Sequence, residues 1–256
     1  MGTIISFSNQ KGGVGKTTTC VNMAYSLAGL GKKVLIIDID PQGNATTGLG
    51  VNKGAIKTSV YQVLTEDVPV KDAVIKTAFE NLYLLPASID LAGAEVELVY
   101  LKNREKRLFN ALKSTKKDYD YIMIDCPPSL GLLTINALTA SDSLIIPIQC
   151  EYFALEGLSQ LMNTIKLVIK HLNPSLKIEG VSLTMYDGRA IVSRQIAEEI
   201  RKFFGKKVFN TIIPRNIRVS EAPSHGLPVY EHDKKCAGAK AYMELTKEFL
   251  EREGKK

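Results

Sequence analysis

Asn9 to Thr19 reads NQKGGVGKTTT, two lysines five residues apart with three glycines between them. Glycine lets the backbone turn tightly enough for successive N–H groups to converge on phosphate oxygens. A helix starting directly afterwards adds the positive end of its dipole. In such a loop Lys16 reaches the β- and γ-phosphates of a nucleotide and the Thr17 hydroxyl is placed to ligate Mg²⁺. The commoner pattern has glycine where Gln10 stands, so this is a variant loop. Lys11 is a second cation for which the ordinary phosphate loop has no use.

A phosphate loop also needs a carboxylate at the end of a nearby buried strand to help hold Mg²⁺. YIMIDCPPS supplies Asp125 in that setting, and VLIIDIDPQGN supplies a second acidic strand end with Asp38 and Asp40. A strand-end aspartate is often only a turn residue or a helix cap. Two such ends flanking one predicted phosphate site point to chemistry instead.

The elements that must position these residues follow from the hydrophobic pattern. TIISFS (3–8), KVLIID (33–38), LYLLP (82–86), YIMIDCP (121–127), DSLIIPI (142–148), IEGVSLTM (178–185) and VFNTIIP (208–214) read as strands, apolar nearly throughout. Runs of that kind suit strands buried on both faces of a largely parallel sheet. Between them, Leu158, Leu161, Ile165, Val168 and Leu172 recur at helical spacing, as do Val192, Ile196, Ile200 and Phe203. The alternation predicts an α/β fold with a doubly wound, mostly parallel sheet flanked by helices, forming a single domain over 1–256. Residues 43–80 are the least regular and are expected to form a surface excursion.

Composition narrows the function. Of the net +6 charge, residues 1–185 contribute +1 (18 Lys/Arg against 17 Asp/Glu) and residues 186–256 contribute +5 (15 against 10). A basic excess confined to the last quarter suggests either a solvated surface or a polyanion-binding face. Cys20, Cys126, Cys150 and Cys236 form no C-x-x-C pair, which gives a zinc or redox motif little support and suits a reducing cytoplasm. The N-terminus lacks the basic n-region and apolar run of a signal peptide. No stretch reaches the roughly 18 apolar residues of a membrane-spanning helix.

KGGVGKTT, DIDPQGN and DCPPS together resemble the deviant Walker A ATPases of the ParA/MinD class. Downstream, LTINALTASDSLIIPIQCEYFALEGL and IPRNIRVSEAPSHGLPV resemble the chromosomal ParA, or Soj, branch, so the likeness runs nearly end to end. It implies a P-loop NTPase that hydrolyses ATP slowly with Mg²⁺. Nucleotide binding falls to Lys11, Gly12, Gly13, Val14, Gly15, Lys16, Thr17 and Thr18, with Pro214 and Asn216 bordering adenine. Lys11 matches the signature lysine, which reaches the phosphates held by the other subunit of a face-to-face ATP dimer. The likeness makes Asp40 the residue that orients the attacking water, beside Lys11 and Lys16 as catalytic groups. Asp125 becomes the Walker B carboxylate, acting with Thr17 on Mg²⁺.

The same resemblance implies an ATP-dependent homodimer that binds double-stranded DNA without sequence preference, with Arg189 and Arg218 at DNA-contacting positions. Lys234 and Lys235 are weaker candidates. No helix-turn-helix segment precedes the loop, which argues against operator recognition. A ParB/Spo0J-like partner would stimulate hydrolysis and release the DNA. The implied outputs are chromosome or plasmid segregation and control of replication initiation through DnaA. The implied location is cytoplasmic, on the nucleoid when ATP-bound.

The nearest competitor is a MinD-like membrane-associated ATPase, which ends in a lipid-docking amphipathic helix. Here AYMELTKEFLEREGKK places Tyr242, Leu245 and Phe249 on one face but carries Glu244, Glu248, Glu251 and Glu253, whereas lipid-binding helices favour Lys/Arg on the polar face. An iron–sulfur protein of this fold would need clustered thiolates, and Cys126 has no partner nearby in sequence. A metabolic P-loop kinase would need an acceptor lid, for which the sequence offers no segment.

Overall fold

A computed structural model describes residues 2–152 and 154–254. Its strands are β1 (Thr3–Phe7), β2 (Val34–Asp38), β3 (Ile75–Lys76), β4 (Leu82–Leu85), β5 (Tyr121–Asp125), β6 (Ser143–Gln149) and β7 (Lys177–Thr184). They form one sheet in the order β3-β4-β2-β5-β1-β6-β7, parallel throughout except for the antiparallel edge pair β3–β4. Its helices are α1 (Lys16–Gly29), α2 (Asn44–Gly48), α3 (Val60–Thr65), α4 (Val70–Ala73), α5 (Leu91–Leu98), α6 (Arg107–Thr115), α7 (Leu132–Ala140), α8 (Ala154–His171), α9 (Ile191–Phe204), α10 (Ile217–Glu221), α11 (Val229–His232) and α12 (Ala237–Gly254).

The near-continuous apolar strands are explained by burial on both sides. Val34 and Ile36 of β2, Ile5 and Phe7 of β1, and Tyr121 and Met123 of β5 pack into one core with α1 and α12. The intervening Leu35, Ile37, Ile4, Ile122 and Ile124 point to the opposite face, under α3, α5, α6 and α7. That period of two is the pleat itself. A third core joins β6 and β7 to α8 and α9 through Ile146, Leu183, Leu161 and Ile200. Each fully buried Leu or Ile contributes about 1.5–3 kcal/mol, so these layers hold the strand ends rigidly.

Two expectations need correction. The stretch 43–80 is not a surface excursion. Val60, Val63, Leu64, Val70 and Ala73 sit in the core beneath β2 and β4, and a Ser59–Gln62 capping box starts α3. Helices this short carry too little periodicity to be seen in sequence. Residues 208–214 do not form a strand either. They meet β7 and the residues after it through isolated bridges, Val181 to Val208 and Tyr186 to Pro214, and through two separated backbone bonds, Phe209 N to Val181 O and Ile213 N to Leu183 O, both at 2.9 Å. The amides of Asn210 and Thr211 donate instead to the Glu248 carboxylate of α12, both at 2.8 Å, which interrupts the ladder.

Candidate active site

β1, β5 and β2 are adjacent and end level, with Phe7 opposite Asp125 and Asp125 opposite Asp38. This is the carboxyl edge of a parallel sheet, where such folds bind ligands. The chain leaves β1 through residues 8–15 and enters α1 at Lys16. Gly13 (φ 73°) and Gly15 (φ 85°) are left-handed, a conformation that favours glycine. Asn9 and Thr184 brace the loop. Asn9 Nδ2 donates to Pro147 O at 2.8 Å, its Oδ1 accepts from Lys11 N at 3.1 Å, and Thr184 Oγ1 donates to Val14 O at 2.8 Å.

A cavity of about 830 Å³ opens over this edge. Gly12, Gly13, Gly15, Lys16, Thr17 and Thr18 line its floor, Asp40 one side, and Pro214 and Asn216 the far wall. The structure thus brings together most of the residues the sequence assigns to the nucleotide. Val14 is buried behind the loop. Asn216 has a second task, since its Oδ1 accepts from Arg218 N at 3.0 Å and caps α10. Among the described residues its Nδ2 makes no hydrogen bond that competes with a ligand.

The electrostatics are those of charge held out of water. Lys16 is 6% exposed, and its Nζ donates to Lys11 O at 3.0 Å. Burial draws its ammonium below the ordinary lysine range, opposed by Asp125, Cys126 and Asp40. Burial pushes Asp125 well above the usual carboxylate range and Asp38 adds to the effect, while the Thr17 hydroxyl and Lys16 pull the other way. Neither carboxylate oxygen of Asp125 is hydrogen-bonded among the described residues. An unsatisfied buried carboxylate beside a threonine hydroxyl and a phosphate loop fits Mg²⁺, whose charge would restore ionisation.

Asp38 and Asp40 have separate jobs. Asp38 is pushed up to about 6 by burial and accepts from Thr46 N at 2.8 Å, Thr46 Oγ1 at 2.7 Å and Asp40 N at 3.2 Å. It anchors α2 and sets the backbone of Asp40. Asp40 reaches the cavity and holds Gln42 N on Oδ1 at 2.9 Å. Cys126 is wholly buried, and burial raises its thiol far above the ordinary range, so it is an inert core group rather than a thiolate ligand.

Lys11 does not line its own cavity. Its Nζ pairs with Glu151 Oε2 at 3.0 Å, with the two side chains 32% and 51% exposed. Sequence reasoning missed Glu151, Thr46 and Thr184, because the bonds of Glu151 to Lys11, Thr46 to Ala87 and Thr184 to Val14 span 140, 41 and 170 residues rather than a local motif. It also missed Met185, a non-glycine residue at φ 48° where β7 gives way to the site.

The predicted DNA residues lie apart from the cavity floor. Arg189 is 92% exposed and forks onto Asp187, Nε to Oδ1 at 3.0 Å and Nη2 to Oδ2 at 2.9 Å. Arg218 meets Glu221 at 2.9 Å and Asp233 at 3.8 Å. The Tyr186–Pro214 bridge ties the Arg189 loop to the far wall, and the Arg218–Asp233 pair ties α10 to the segment carrying the exposed Lys234 and Lys235. In α12, Tyr242, Leu245 and Phe249 are buried against α1 and the sheet, so this helix is a docked structural element. Among the described residues no helix is long and apolar enough to cross a membrane.

The AAA domain family model matches residues 2–178. The chain is 60% identical over 248 residues to the sporulation initiation inhibitor protein Soj of Bacillus subtilis, covering 97% of this chain and 98% of that protein. It is 53% identical over 253 residues to the chromosome partitioning protein ParA of Myxococcus xanthus, covering 99% and 89% respectively. Among solved structures, cobyrinic acid a,c-diamide synthase from Mycobacterium smegmatis with bound ADP and magnesium matches with a TM-score of 0.87 at 38% identity, covering 99% of this chain and 96% of that one. Likeness at this level over nearly the whole length makes the chain a member of the ParA/Soj family of chromosome-partitioning P-loop ATPases.

Proposed function

We propose that this protein is an ATP-driven switch for DNA partitioning, whose ATP-bound form closes into a sandwich dimer, binds double-stranded DNA without sequence preference and is released by hydrolysis. The observation that carries this reading is the placement of the two lysines. Lys16 is buried on the cavity floor, while Lys11, in the same loop, does not line its own cavity and pairs with Glu151. A cation so placed serves a neighbouring subunit better than its own.

In this reading the loop amides and Lys16 hold the β- and γ-phosphates, and Pro214 and the Asn216 amide border the base. Thr17 and Asp125 would hold Mg²⁺, which supplies charge neutralisation across the phosphates. Asp40, fixed by Gln42 and by the Asp38 bond to its amide, orients water towards the γ-phosphate. Lys11 of one subunit places its ammonium on the charge that develops on the phosphoryl group of the other, in the manner of an arginine finger. Dimerisation and nucleotide state then form one equilibrium.

Arg189 and Arg218, with Lys234 and Lys235, supply phosphate contacts, and dimerisation doubles them. A ParB/Spo0J-like protein with a basic segment accelerates hydrolysis, in the cytoplasm and on the nucleoid, and DnaA is a further partner on this reading. The buried apolar face of α12 favours DNA over the MinD-like alternative of a lipid surface.

The test is a binding titration against random-sequence duplex and, in parallel, anionic liposomes, with ADP, ATP and a slowly hydrolysed ATP analogue. Binding to duplex alone, and only with ATP or the analogue, is expected. Liposome binding with no affinity for duplex would favour the MinD-like reading.

A further inference from the structure

Arg189 and Arg218 are both engaged by carboxylates of their own chain. The C-terminal end of α9 differs. Arg201, Lys202, Lys206 and Lys207 fall within the seven residues RKFFGKK, and all four are exposed. Among the described residues only Lys202 meets a carboxylate there, Glu199 at 3.4 Å in an exposed pair. Arg201 and Lys202 complement the negative end of the helix dipole. Lys206 and Lys207 lie beyond it, in the short turn Gly205–Lys207.

That turn is clamped by α12. Arg252 donates to Lys206 O at 3.2 Å and Val208 O at 2.8 Å, lies 4.4 Å over the Phe209 ring, and is itself held by Glu248 at 2.6 Å. Phe203 stands 66% exposed among the cations, set edge-on against the nearly buried Phe204 with ring centroids 4.8 Å apart. A positive cluster on a fixed backbone loses little conformational freedom when it meets a rigid polyanion.

We propose that Arg201–Lys207 is a second DNA contact surface, in which Arg201, Lys206 and Lys207 take backbone phosphates of double-stranded DNA and Phe203 packs against the strand between them. The proposal rests on the DNA-binding reading above. The 14 residues of α9 separate this cluster from the Arg189 loop by about 21 Å. Duplex is favoured over anionic lipid because Glu198 and Glu199 occupy the exposed face of α9 one turn back. A membrane lying along the helix would have to cover them, whereas a duplex touching the helix end does not.

The experiment compares the full chain with a Lys206→Glu/Lys207→Glu double variant, both loaded with the slowly hydrolysed ATP analogue. Random-sequence duplex and phosphatidylglycerol vesicles are titrated over a salt series, and nucleotide affinity is followed by calorimetry. Expected are unchanged nucleotide affinity, a loss of duplex affinity of about tenfold or more, and a salt slope shallower by about 1–2. A Lys206→Ala/Lys207→Ala variant should shift the slope in the same direction by less. Wild-type protein that ignores duplex in the ATP state removes the DNA-binding reading and this surface with it. Wild-type binding with an unaltered slope in both double variants overturns this surface alone, as does a loss confined to vesicles.

Discussion

The phosphate-loop edge of the sheet and the basic last quarter both depend on charged residues, and they treat charge in opposite ways. At the edge, Lys16, Asp38, Asp40 and Asp125 are each 6% exposed or less, and burial is the main influence on the ionisation of Lys16, Asp38 and Asp125. Removing one such group leaves its partner uncompensated in a poor solvent for ions, which costs several kcal/mol. In the last quarter Arg189, Arg218 and the lysines stand in water, paired with short-range carboxylates or with none. Exposed pairs of that kind contribute about 0–1 kcal/mol to stability. Net charge therefore says little about function here: the region with +1 holds the chemistry, and the region with +5 offers a surface.

That contrast can be broken most severely at Lys16. Lys16→Ala should weaken ATP binding by about 100-fold or more, as expected for loss of a desolvated charge-assisted bond. Isothermal calorimetry measures this, and retention of wild-type affinity would remove Lys16 from the phosphate site.

Lys11→Ala comes next, because Lys11 belongs to the loop but is about a third exposed. Monomeric nucleotide affinity should change by no more than about threefold, while ATP-dependent dimerisation seen by light scattering is lost and stimulated hydrolysis falls about 100-fold. A variant that dimerises and turns over normally would show that Lys11 does not act across subunits. Mixing Lys11→Ala with Lys16→Ala chains sharpens the result, since the second chain still carries Lys11 for the ATP held by the first.

In the basic region the effects should be smaller and salt-dependent. Arg189→Glu should reduce the slope of log affinity for duplex against log salt by about 1 and leave nucleotide binding intact. It also sets a glutamate beside Asp187, so Arg189→Ala should reproduce the slope change with a smaller loss of affinity. A slope unchanged in both variants places the DNA surface elsewhere.

The smallest expected effect lies where the two regions meet. Asn216→Ser keeps an oxygen that can cap α10 but removes the amide donor of a residue that lines the cavity. ATP affinity should fall by about 3- to 10-fold, the range of one hydrogen bond, with little change in melting temperature. Unchanged affinity would reduce Asn216 to a cap.

The sequence was most informative where a function depends on consecutive residues. Glycines at 13 and 15 adopt the left-handed backbone the loop requires, and Lys16 and Thr17 follow directly on the cavity floor. The strands ending at Asp38 and Asp125 could be read because burial on both faces leaves an unbroken apolar run. The sequence failed where the deciding contact is distant. VFNTIIP has a strand's composition, yet Glu248 of α12 takes the Thr211 amide that would continue the ladder between Phe209 and Ile213, together with that of Asn210. The 43–80 segment looks irregular because its buried residues belong to helices of 4 to 6 residues.

By itself, then, the sequence determined the phosphate loop, the acidic strand ends, the layered α/β architecture and the family, since each is written in local spacing or in the periodicity of the pleat and the helix. Only the tertiary structure decided what each carboxylate touches. It turned Asp38 inward to hold α2 and Asp40 to the cavity, left Asp125 unsatisfied beside Thr17, and set Lys11 against Glu151, 140 residues away. The physical reason is that a side chain's role depends on its solvent and its neighbours, and both are fixed only when distant strands end side by side.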